Sequence, residues 1–281
     1  MLSEKKILQI LHSQKERTKK IAPYDFHIII KDVTESTNND AKNFIKTYSC
    51  VNEKNTVILA KEQTAGRGRM GHSFFSPKGS GLYLTCVLMH NIQPNESSFS
   101  AFQKLNPATI TVSAAVAVSK AVENLCGVYP DVKWVNDLFY KGKKICGILT
   151  EGCINASKGQ IDKIIVGVGL NVKSFNDTLP QEIANIAGSL HCDNMDMNIM
   201  ACEIILQIYE HCNFATNNWN KILADYKKRL PFLQKNVTVI DKVNGNFDAK
   251  VLDMDSQANL IVQTYDGQMR KLNSGEISVK M

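Results

Sequence analysis

The stretch DVKWVNDLFYKGKKICGILTEG, residues 131–152, decides how the middle of this chain folds. β-forming residues lie on both sides of Lys141-Gly142, which predicts two strands joined by a tight turn. The segment IDKIIVGVGLNV, residues 161–172, predicts a further strand that ends in a glycine-rich stretch. Together these segments predict that a β-sheet organises this half of the chain.

Strands and helices continue on both sides of this region. Asn106-Pro107 opens a long apolar stretch at helical spacing, which predicts a buried helix. Ser36 or Thr37 is predicted to cap an earlier helix. The pattern predicts an α+β fold in which helices pack on a mixed β-sheet. The predicted strands are FHIIIK (26–31), TVILAKEQ (56–63) and GLYLTCVLM (81–89), and the predicted helices cover residues 35–48, 106–126 and 197 to about 230.

The last part of the chain has a different pattern. From Asn236 onward it consists of short strands with turns at Asn244-Gly245, Ser256-Gln257 and Asp266-Gly267. This predicts a small SH3-like all-β domain, too small for a large core of its own and therefore packed on the main domain. The predicted boundaries are 1–233 for the main domain, with an N-terminal helix extension over 1–22, and 234–281 for the small β-barrel domain.

Composition and charge narrow the class of protein. The 281 residues are 44% hydrophobic and 21% charged, which is typical of a globular protein. The net charge of +6 favours anionic partners such as phosphates but is small for a protein that coats nucleic acid. Because no apolar run approaches the roughly 18–20 residues that span a bilayer, we expect no membrane partner.

The cysteines and the N-terminal sequence indicate the cellular compartment. The eight cysteines form no C-x-x-C pair, and most lie among aliphatic residues, so we expect free thiols in a reducing, cytoplasmic compartment. The basic, amphipathic N-terminus is compatible with an organelle address, but Glu4 and Glu16 favour a surface helix. The His and Cys residues between 191 and 212 match no familiar zinc spacing.

The stretch EQTAGRGRMGHSFFSPKGSG, residues 62–81, is the first candidate site. Its five glycines allow the backbone to approach a ligand, and Arg67 and Arg69 add permanent charges that suit phosphate or carboxylate oxygens. It matches neither the P-loop nor the dinucleotide-binding pattern. Three alternatives therefore stay open: a phosphate-binding loop, a solvated loop, or an RNA contact in which Phe74 and Phe75 stack on bases.

A second candidate lies in the predicted hairpin. Lys133, Asn136 and Asp137 follow one strand, and Lys144 begins the next. A lysine, a carboxamide and a carboxylate can orient a nucleoside triphosphate with Mg²⁺, with Asp137 facing the metal. The alternative is a solvent-facing hairpin with a surface salt bridge.

Two further segments have a structural and a functional interpretation. Gly167 and Gly169 inside a strand indicate close approach of a backbone or a flat ligand, or else a bulge. Asn171 follows them and is a candidate contact for a base or ribose. Ser36-Thr37 is either a helix cap or a pair of hydroxyls that bind a small polar ligand.

In their order and wording, these motifs resemble the biotin protein ligases (biotin–acetyl-CoA-carboxylase ligases). The resemblance is carried by ESTN, EQTAGRGRMGHSFFSPKGSGLYLT, KWVNDLFYKGKKICGILTE, VGVGLN and GEISVK, from about Thr34 to the C-terminus. It implies that biotin reacts with MgATP to give biotinyl-5′-AMP, and that the biotinyl group then passes to one lysine of a biotin carboxyl carrier domain, as in acetyl-CoA carboxylase. A lipoate or octanoate ligase of the same fold, and a nucleic-acid-binding protein, are the alternatives.

The resemblance also implies roles for individual residues. The positive charges of Arg67, Arg69 and Lys144 would be catalytic, because a carboxylate and a triphosphate repel each other. Biotin would contact Ser36, Thr37, Gln63, Gly66, Arg67, Lys144 and Gly147. ATP would contact Arg69, His72, Phe74, Lys133, Asn136, Asp137, Asn171 and Lys280, and Mg²⁺ would contact Asp137. The glycine-rich loop would order over the adenylate and exclude water.

The chain departs from the family pattern at three positions. His72, Phe74 and Val135 stand where the family often has arginine, tryptophan and proline. Because His72 lacks a permanent charge, ATP affinity would be weaker or pH-dependent. Only roughly 30 residues precede the ligand-binding helix, and a single helix is not the winged-helix domain of the repressor members. We therefore expect a monofunctional ligase without specific DNA binding.

Overall fold

The computed structural model describes ten segments of the chain: residues 1–14, 16–17, 25–47, 55–89, 107–155, 160–175, 179–212, 218–241, 245–273 and 277–280. The helices in these segments are α1 (Glu4–Ser13), α2 (Thr37–Thr47), α3 (Pro107–Cys126), α4 (Met197–Cys212) and α5 (Trp219–Lys227). None of the described helices is long and apolar enough to cross a membrane.

A seven-stranded sheet forms the framework of the larger part of the molecule. Its order is β1-β2-β3-β7-β6-β5-β4, and only the β1–β2 pair is parallel, so the predicted mixed sheet is confirmed. The strands are β1 (Phe26–Lys31), β2 (Asn55–Ala60), β3 (Gly81–Met89), β4 (Asp131–Lys133), β5 (Asp137–Tyr140), β6 (Lys143–Asn155) and β7 (Gln160–Asn171).

The two faces of this sheet have different roles. Successive side chains of a strand point to opposite faces, so Val57 and Leu59 join the large core while Ile58 lies on the other side. Helix α3 packs against α4, α5 and the sheet on the side of the large core. Helix α2 covers only part of the opposite face, where Ala41 contacts Ile58. The uncovered part of that face is where the candidate site lies.

The hairpin region differs from its prediction in one respect. The predicted strand 131–140 is split by a reversal at residues 134–136, so that Lys133 pairs with Asp137. Trp134 and Val135 have strand-forming side chains, yet both are buried in this turn, and the peptide bond between them is cis. The predicted turn is confirmed, because Lys141 and Gly142 have the positive φ angles of a tight hairpin turn.

The predicted helix from 197 to about 230 is also divided. Helix α4 ends at Cys212, and Asn218 has an extended backbone that caps the start of α5. The Asn218 side chain accepts a hydrogen bond from the Lys221 amide at 3.2 Å, which is the usual role of asparagine at a helix start. The sequence predicted one helix over both and missed the second helix start at Asn218.

The C-terminal part is a five-stranded antiparallel sheet in the order β11-β10-β9-β8-β12, as the prediction of a small all-β domain required. The indole of Trp134 donates to the Ala258 carbonyl at 3.2 Å, and that of Trp219 donates to the Ser256 carbonyl at 2.9 Å. One turn of the small domain is thus bound to the main domain. Its strands are β8 (Asn236–Asp241), β9 (Phe247–Met254), β10 (Leu260–Thr264), β11 (Met269–Leu272) and β12 (Ile277–Lys280).

Candidate active site

A cleft of about 300 Å³, open mouth included, lies on the sheet face that α2 leaves uncovered. It brings together residues from four separate sequence motifs, including most of the predicted biotin contacts. Gly66 and Lys144, the other two predicted contacts, lie next to Phe74 and Gly147 of the lining. The lining residues are Ser36, Thr37, Asn38, Gln63, Arg67, Phe74, Gly147, Leu149, Gly167, Val168 and Gly169.

Glycines of two neighbouring strands form the floor of the cleft. Gly147 of β6 and Gly169 of β7 are register partners, and both lie under the Phe74 ring. A Cβ atom at Gly169 would lie 2.5 Å from that ring, and one at Gly167 would lie 2.0 Å from the Asn38 side chain. The β6–β7 register shifts only between Cys153 and Ile154, so the bulge interpretation of the glycines is wrong and close approach is correct.

The polar end of the cleft is held by a fixed set of hydrogen bonds. The Thr37 backbone amide donates to Gln63 Oε1 at 2.9 Å, and Gln63 Nε2 donates to Ser76 Oγ at 2.9 Å. The Thr85 hydroxyl lies 2.8 Å from Thr37 Oγ1 and 2.7 Å from Asn38 Oδ1. Ser36, Thr37 and Asn38 are nearly fully buried, so this end offers polar groups in a water-poor setting.

A carboxylate that the sequence analysis missed lies beside this polar end. Glu151 accepts from both Arg67 terminal nitrogens at 3.2 Å, from Lys42 Nζ at 2.5 Å and from Asn38 Nδ2 at 2.9 Å. Burial raises the Glu151 pKa, but hydrogen bonds from Lys42 and Asn38 and the nearby positive charges outweigh it, so the pKa is lowered. Glu151 follows Gly147 and Leu149 at the two-residue period of a strand, which is the signal that places it on this face.

Cationic residues lie just outside the cleft lining, next to Gly147 and Phe74, and this side is called the cationic end. Lys144 Nζ lies 2.8 Å from Asp137 Oδ1, and Arg69 Nη1 donates to Asn136 Oδ1 at 3.1 Å. The Asn136 amide nitrogen also donates to Asp137 Oδ1 at 2.9 Å. Burial lowers the Arg69 pKa, although the charge of Asp137 offsets part of that effect. Four residues of two motifs therefore converge here, whereas Arg67, which the resemblance groups with Arg69 and Lys144, lies with Glu151 instead.

Phe74 lies between the two ends of the cleft. Its ring covers the glycine floor, and the Lys144 ammonium lies 5.9 Å from the ring centre. Its backbone amide donates to the Gly66 carbonyl at 2.8 Å, which closes the loop into a hairpin. A Cβ atom at Gly66 would lie 2.3 Å from the Phe74 carbonyl oxygen, so only glycine fits there. Phe75, the second candidate for base stacking, is exposed and lies outside the cleft lining.

Other predicted ATP contacts lie apart from the cleft. His72 is exposed on the loop, and Lys133 is exposed at the end of β4. Asn171 is buried, and its amide donates to the Gly188 carbonyl at 2.9 Å, so it anchors the segment after β7. Lys280 ends β12, and its side chain is outside the described residues.

Metal ligands are sparse in the described part of the chain. No group of three or more His, Cys, Asp or Glu side chains that could hold a metal ion occurs in those segments. Asp137, with the Asn136 carboxamide beside it, is the carboxylate nearest the cationic end. This donor set fits a Mg²⁺ that arrives on a nucleotide and keeps its phosphate and water ligands.

Comparison with known proteins gives the same assignment for both parts of the chain. Residues 30–171 match the model of the Biotin/lipoate A/B protein ligase family, and residues 232–280 match that of the Biotin protein ligase C terminal domain. The bifunctional ligase/repressor BirA of Bacillus spizizenii is 30% identical, over 90% of this chain and 74% of its own length. The biotin–[acetyl-CoA-carboxylase] ligase of Mycobacterium tuberculosis is 24% identical, over 87% of this chain and 85% of its own length.

The fold also matches a solved structure. The biotin protein ligase of Aquifex aeolicus, solved in complex with biotin and ATP, superimposes with a TM-score of 0.71 at 23% identity, covering 90% of this chain and 98% of that chain. By its sequence and its fold, this chain belongs to the biotin protein ligases of the Biotin/lipoate A/B protein ligase family.

Proposed function

We propose that this chain is an ATP-dependent biotin protein ligase. It forms biotinyl-5′-AMP from biotin and MgATP and then transfers the biotinyl group to a lysine of a carboxylase carrier domain. One observation carries the proposal: a cleft with the polar groups of Thr37 and Gln63 in its lining lies next to a cluster of cations, Arg69 and Lys144, that adjoins the Phe74 side of that lining. A substrate with a polar head and a carboxylate tail matches both ends.

The polar end supports biotin over lipoate or octanoate. A ureido ring has two N–H donors and a carbonyl acceptor, and the hydroxyls and carboxamide of Ser36, Thr37 and Gln63 can bond to all three. A dithiolane ring or an alkyl chain makes no such bonds. It would cover the remaining hydrogen-bonding capacity of these groups without offering them a partner, so this end of the cleft favours a polar head.

The cationic end supports carboxylate activation. The carboxylate oxygen attacks the α-phosphorus, the bond from that phosphorus to the bridging oxygen breaks, and pyrophosphate leaves. Arg69 and Lys144 reduce the repulsion between the two anions and stabilise the charge that develops at the phosphorus. Phe74 covers the floor between the two ends and excludes water from the acyl-adenylate.

Mg²⁺ is brought to this site as part of MgATP. Asp137 would hold it, with Asn136 orienting the carboxylate through the 2.9 Å hydrogen bond. The ion supplies charge neutralisation on the phosphate oxygens. Lys144, now paired with Asp137, would then be available to the substrate carboxylate.

Transfer is the second half of the proposed reaction. The neutral ε-amine of the acceptor lysine attacks the acyl carbon, a C–N bond forms, and AMP leaves with the electrons of the acyl–oxygen bond. The acceptor class, a carrier domain such as that of acetyl-CoA carboxylase, is supported by the name of the Mycobacterium tuberculosis relative. A cytoplasmic location is part of the same proposal.

The test is ATP–pyrophosphate exchange with biotin, lipoate or octanoate as the only acid, followed by transfer to a purified carrier domain. The proposal expects exchange with biotin alone and one biotin per carrier. Exchange with lipoate or octanoate instead would establish the alternative ligase. Steeply salt-dependent RNA or DNA binding without exchange would favour the nucleic-acid alternative. The structure speaks against that alternative, because Arg67 and Arg69 already contact Glu151 and Asn136.

A further inference from the structure

Glu151 connects three elements of the molecule at one point. It lies on β6, and its carboxylate accepts from Arg67 of the loop and from Asn38 and Lys42 of α2. Glu151 itself does not line the cleft, whereas Asn38 and Arg67 both do. The carboxylate therefore acts on the cleft wall through the side chains that it holds.

The Glu151 carboxylate offsets the positive charges of the two side chains that it binds. Arg67 and Lys42 each bring one positive charge to the same carboxylate, so Glu151 screens two cations from each other. Removing its negative charge would leave like charges close together, and both side chains have a path to solvent. Arg67 is the more exposed of the two, at 39% of its side chain. Its other hydrogen bond, from Nη1 to Asn39 Oδ1 at 2.9 Å, is to a neutral carboxamide, so Arg67 would leave the cleft wall first.

A second link fixes the other wall residue. The Asn38 amide nitrogen donates to Glu151 Oε2 at 2.9 Å, and the Asn38 oxygen lies 2.7 Å from the Thr85 hydroxyl. The Thr85 hydroxyl is in turn 2.8 Å from Thr37 Oγ1. A continuous series of contacts thus runs from Glu151 to the hydroxyl proposed to bind the ureido ring.

We propose that Glu151 is a positioning residue for the polar, head-binding end of the cleft, holding Arg67 and Asn38 in the wall around the substrate head. This inference rests on the proposed function, because it assumes that the head of the acid substrate binds there. It assigns Arg67 to the wall of the head-binding end, and leaves Arg69 and Lys144 as the cations that meet the substrate carboxylate and the phosphate.

The test compares Glu151→Gln with a matched variant, Glu203→Gln. Glutamine keeps an oxygen that can accept from Asn38 but removes the charge that holds Arg67. Glu203 on α4 is also half-buried and accepts from Arg17, Asn124 and Gln207, and its pKa is also lowered by hydrogen bonds that outweigh burial. It is outside the cleft lining, so Glu203→Gln controls for the loss of a paired carboxylate as such.

In the exchange assay, we expect Glu151→Gln to raise KM for biotin roughly tenfold, the size expected for one charge-assisted hydrogen bond. KM for ATP should change less than about twofold, and kcat less than about threefold. Glu203→Gln should leave both KM values unchanged. A merely structural role for Glu151 would lower kcat through loss of folded enzyme and would leave KM for biotin unaltered, and that result overturns the inference.

A double-mutant cycle that combines Glu151→Gln with Arg67→Gln tests whether Glu151 acts through Arg67. If Glu151 acts through Arg67, the double variant has a KM for biotin close to that of Arg67→Gln alone. A KM equal to the product of the two single effects overturns the link.

Exchange assays of the wild-type enzyme distinguish failure of this inference from failure of the proposed function. Exchange supported by lipoate and not by biotin defeats the proposed function, and the KM for lipoate then tests Glu151 in the same variants. Exchange with biotin, together with an unchanged KM in Glu151→Gln, defeats the inference alone. No exchange with any of the three acids defeats both.

Discussion

Arg67 and Arg69 are two residues apart in the same loop, yet they have different hydrogen-bond partners and different burial. Arg67 is paired with the carboxylate of Glu151 at two points, 3.2 Å each. Arg69 is more buried, donates to the neutral carboxamide of Asn136, and has a pKa lowered by burial. An arginine that is hydrogen-bonded to a carboxylate is suited to keep the cleft wall in place. An arginine that is hydrogen-bonded only to a neutral group is suited to bind an anionic substrate. Two identical side chains thus serve two ends of one cleft.

Removing a cation from the phosphate end is the severest way to test this division. Lys144→Gln should lower kcat for exchange by about 10³-fold, because a preorganised charge near the reacting phosphorus is lost. Biotin binding without ATP, measured by calorimetry, should weaken far less. Lys141→Gln, an exposed position on the neighbouring turn, is the control and should match the wild type. A Lys144→Gln enzyme that keeps a tenth of the wild-type rate contradicts the assignment.

The floor between the two ends gives the next largest effect. Gly169→Ala places a methyl group 2.5 Å from the present position of the Phe74 ring, so the ring must move and the two ends are misaligned. We expect the single-turnover rate of adenylate formation to fall roughly 100-fold, as small misplacements do. Gly152→Ala on β6 is the control, since its methyl would meet only the flexible end of Ile161 at 2.9 Å. Equal rates in the two variants would show that the ring position is unimportant.

Replacing each of the two arginines in turn tests the difference between them directly. Arg67→Gln should raise KM for biotin roughly tenfold and leave KM for ATP nearly unchanged, because the charge-assisted bond that holds the wall of the head-binding end is lost. Arg69→Gln should do the reverse. Both constants come from the exchange assay with one substrate varied at a time. If both variants raise the same KM, the two ends are not separate and the comparison fails.

The smallest expected effect is a pH dependence of stability. The Glu151 pKa is lowered in the folded protein, so its charge stabilises the fold above the ordinary glutamate value of 4.5 and stops doing so as pH falls through the folded pKa. Glu151→Gln should therefore be less stable than the wild type by roughly 1 kcal/mol at pH 7, and this difference should shrink below about pH 4.5. Urea denaturation at pH 7 and pH 4 measures it. A difference that is constant with pH would place the effect in packing.

Local patterns were enough to predict most of the fold. The strand Gly81–Met89 and the turn at Lys141-Gly142 follow from β-propensity and glycine placement, and both lie where predicted. The reversal at Trp134–Val135 was missed, because these side chains favour strands and the turn is stabilised by distant contacts, such as the Tyr226 hydroxyl that donates to the Val135 carbonyl at 3.0 Å. β-propensity depends on local sequence and does not predict tertiary contacts of this kind.

The site was predicted less completely than the fold, for a related reason. Gln63, Arg69, Asn136 and Lys144 were identified because each lies within a recognisable motif, and the structure brings them to one cleft or its edge. The charged partner of Arg67 is 84 positions away in the chain. Nothing local to Glu151 connects it to the loop, so only the three-dimensional arrangement of β6 reveals the pair.

The two indole groups that hold the turn of the small domain have a consequence for how the protein melts. Trp134 is buried, precedes Asn136 by two residues and donates to the fully buried Ala258, while Trp219 donates to Ser256 of the same turn. Opening the small domain would uncover the Trp134 indole and leave its N–H without a partner. The domains should therefore unfold as one cooperative unit, with a single calorimetric transition. A ligase shortened to residues 1–233 would lose order in the Trp134–Asp137 turn.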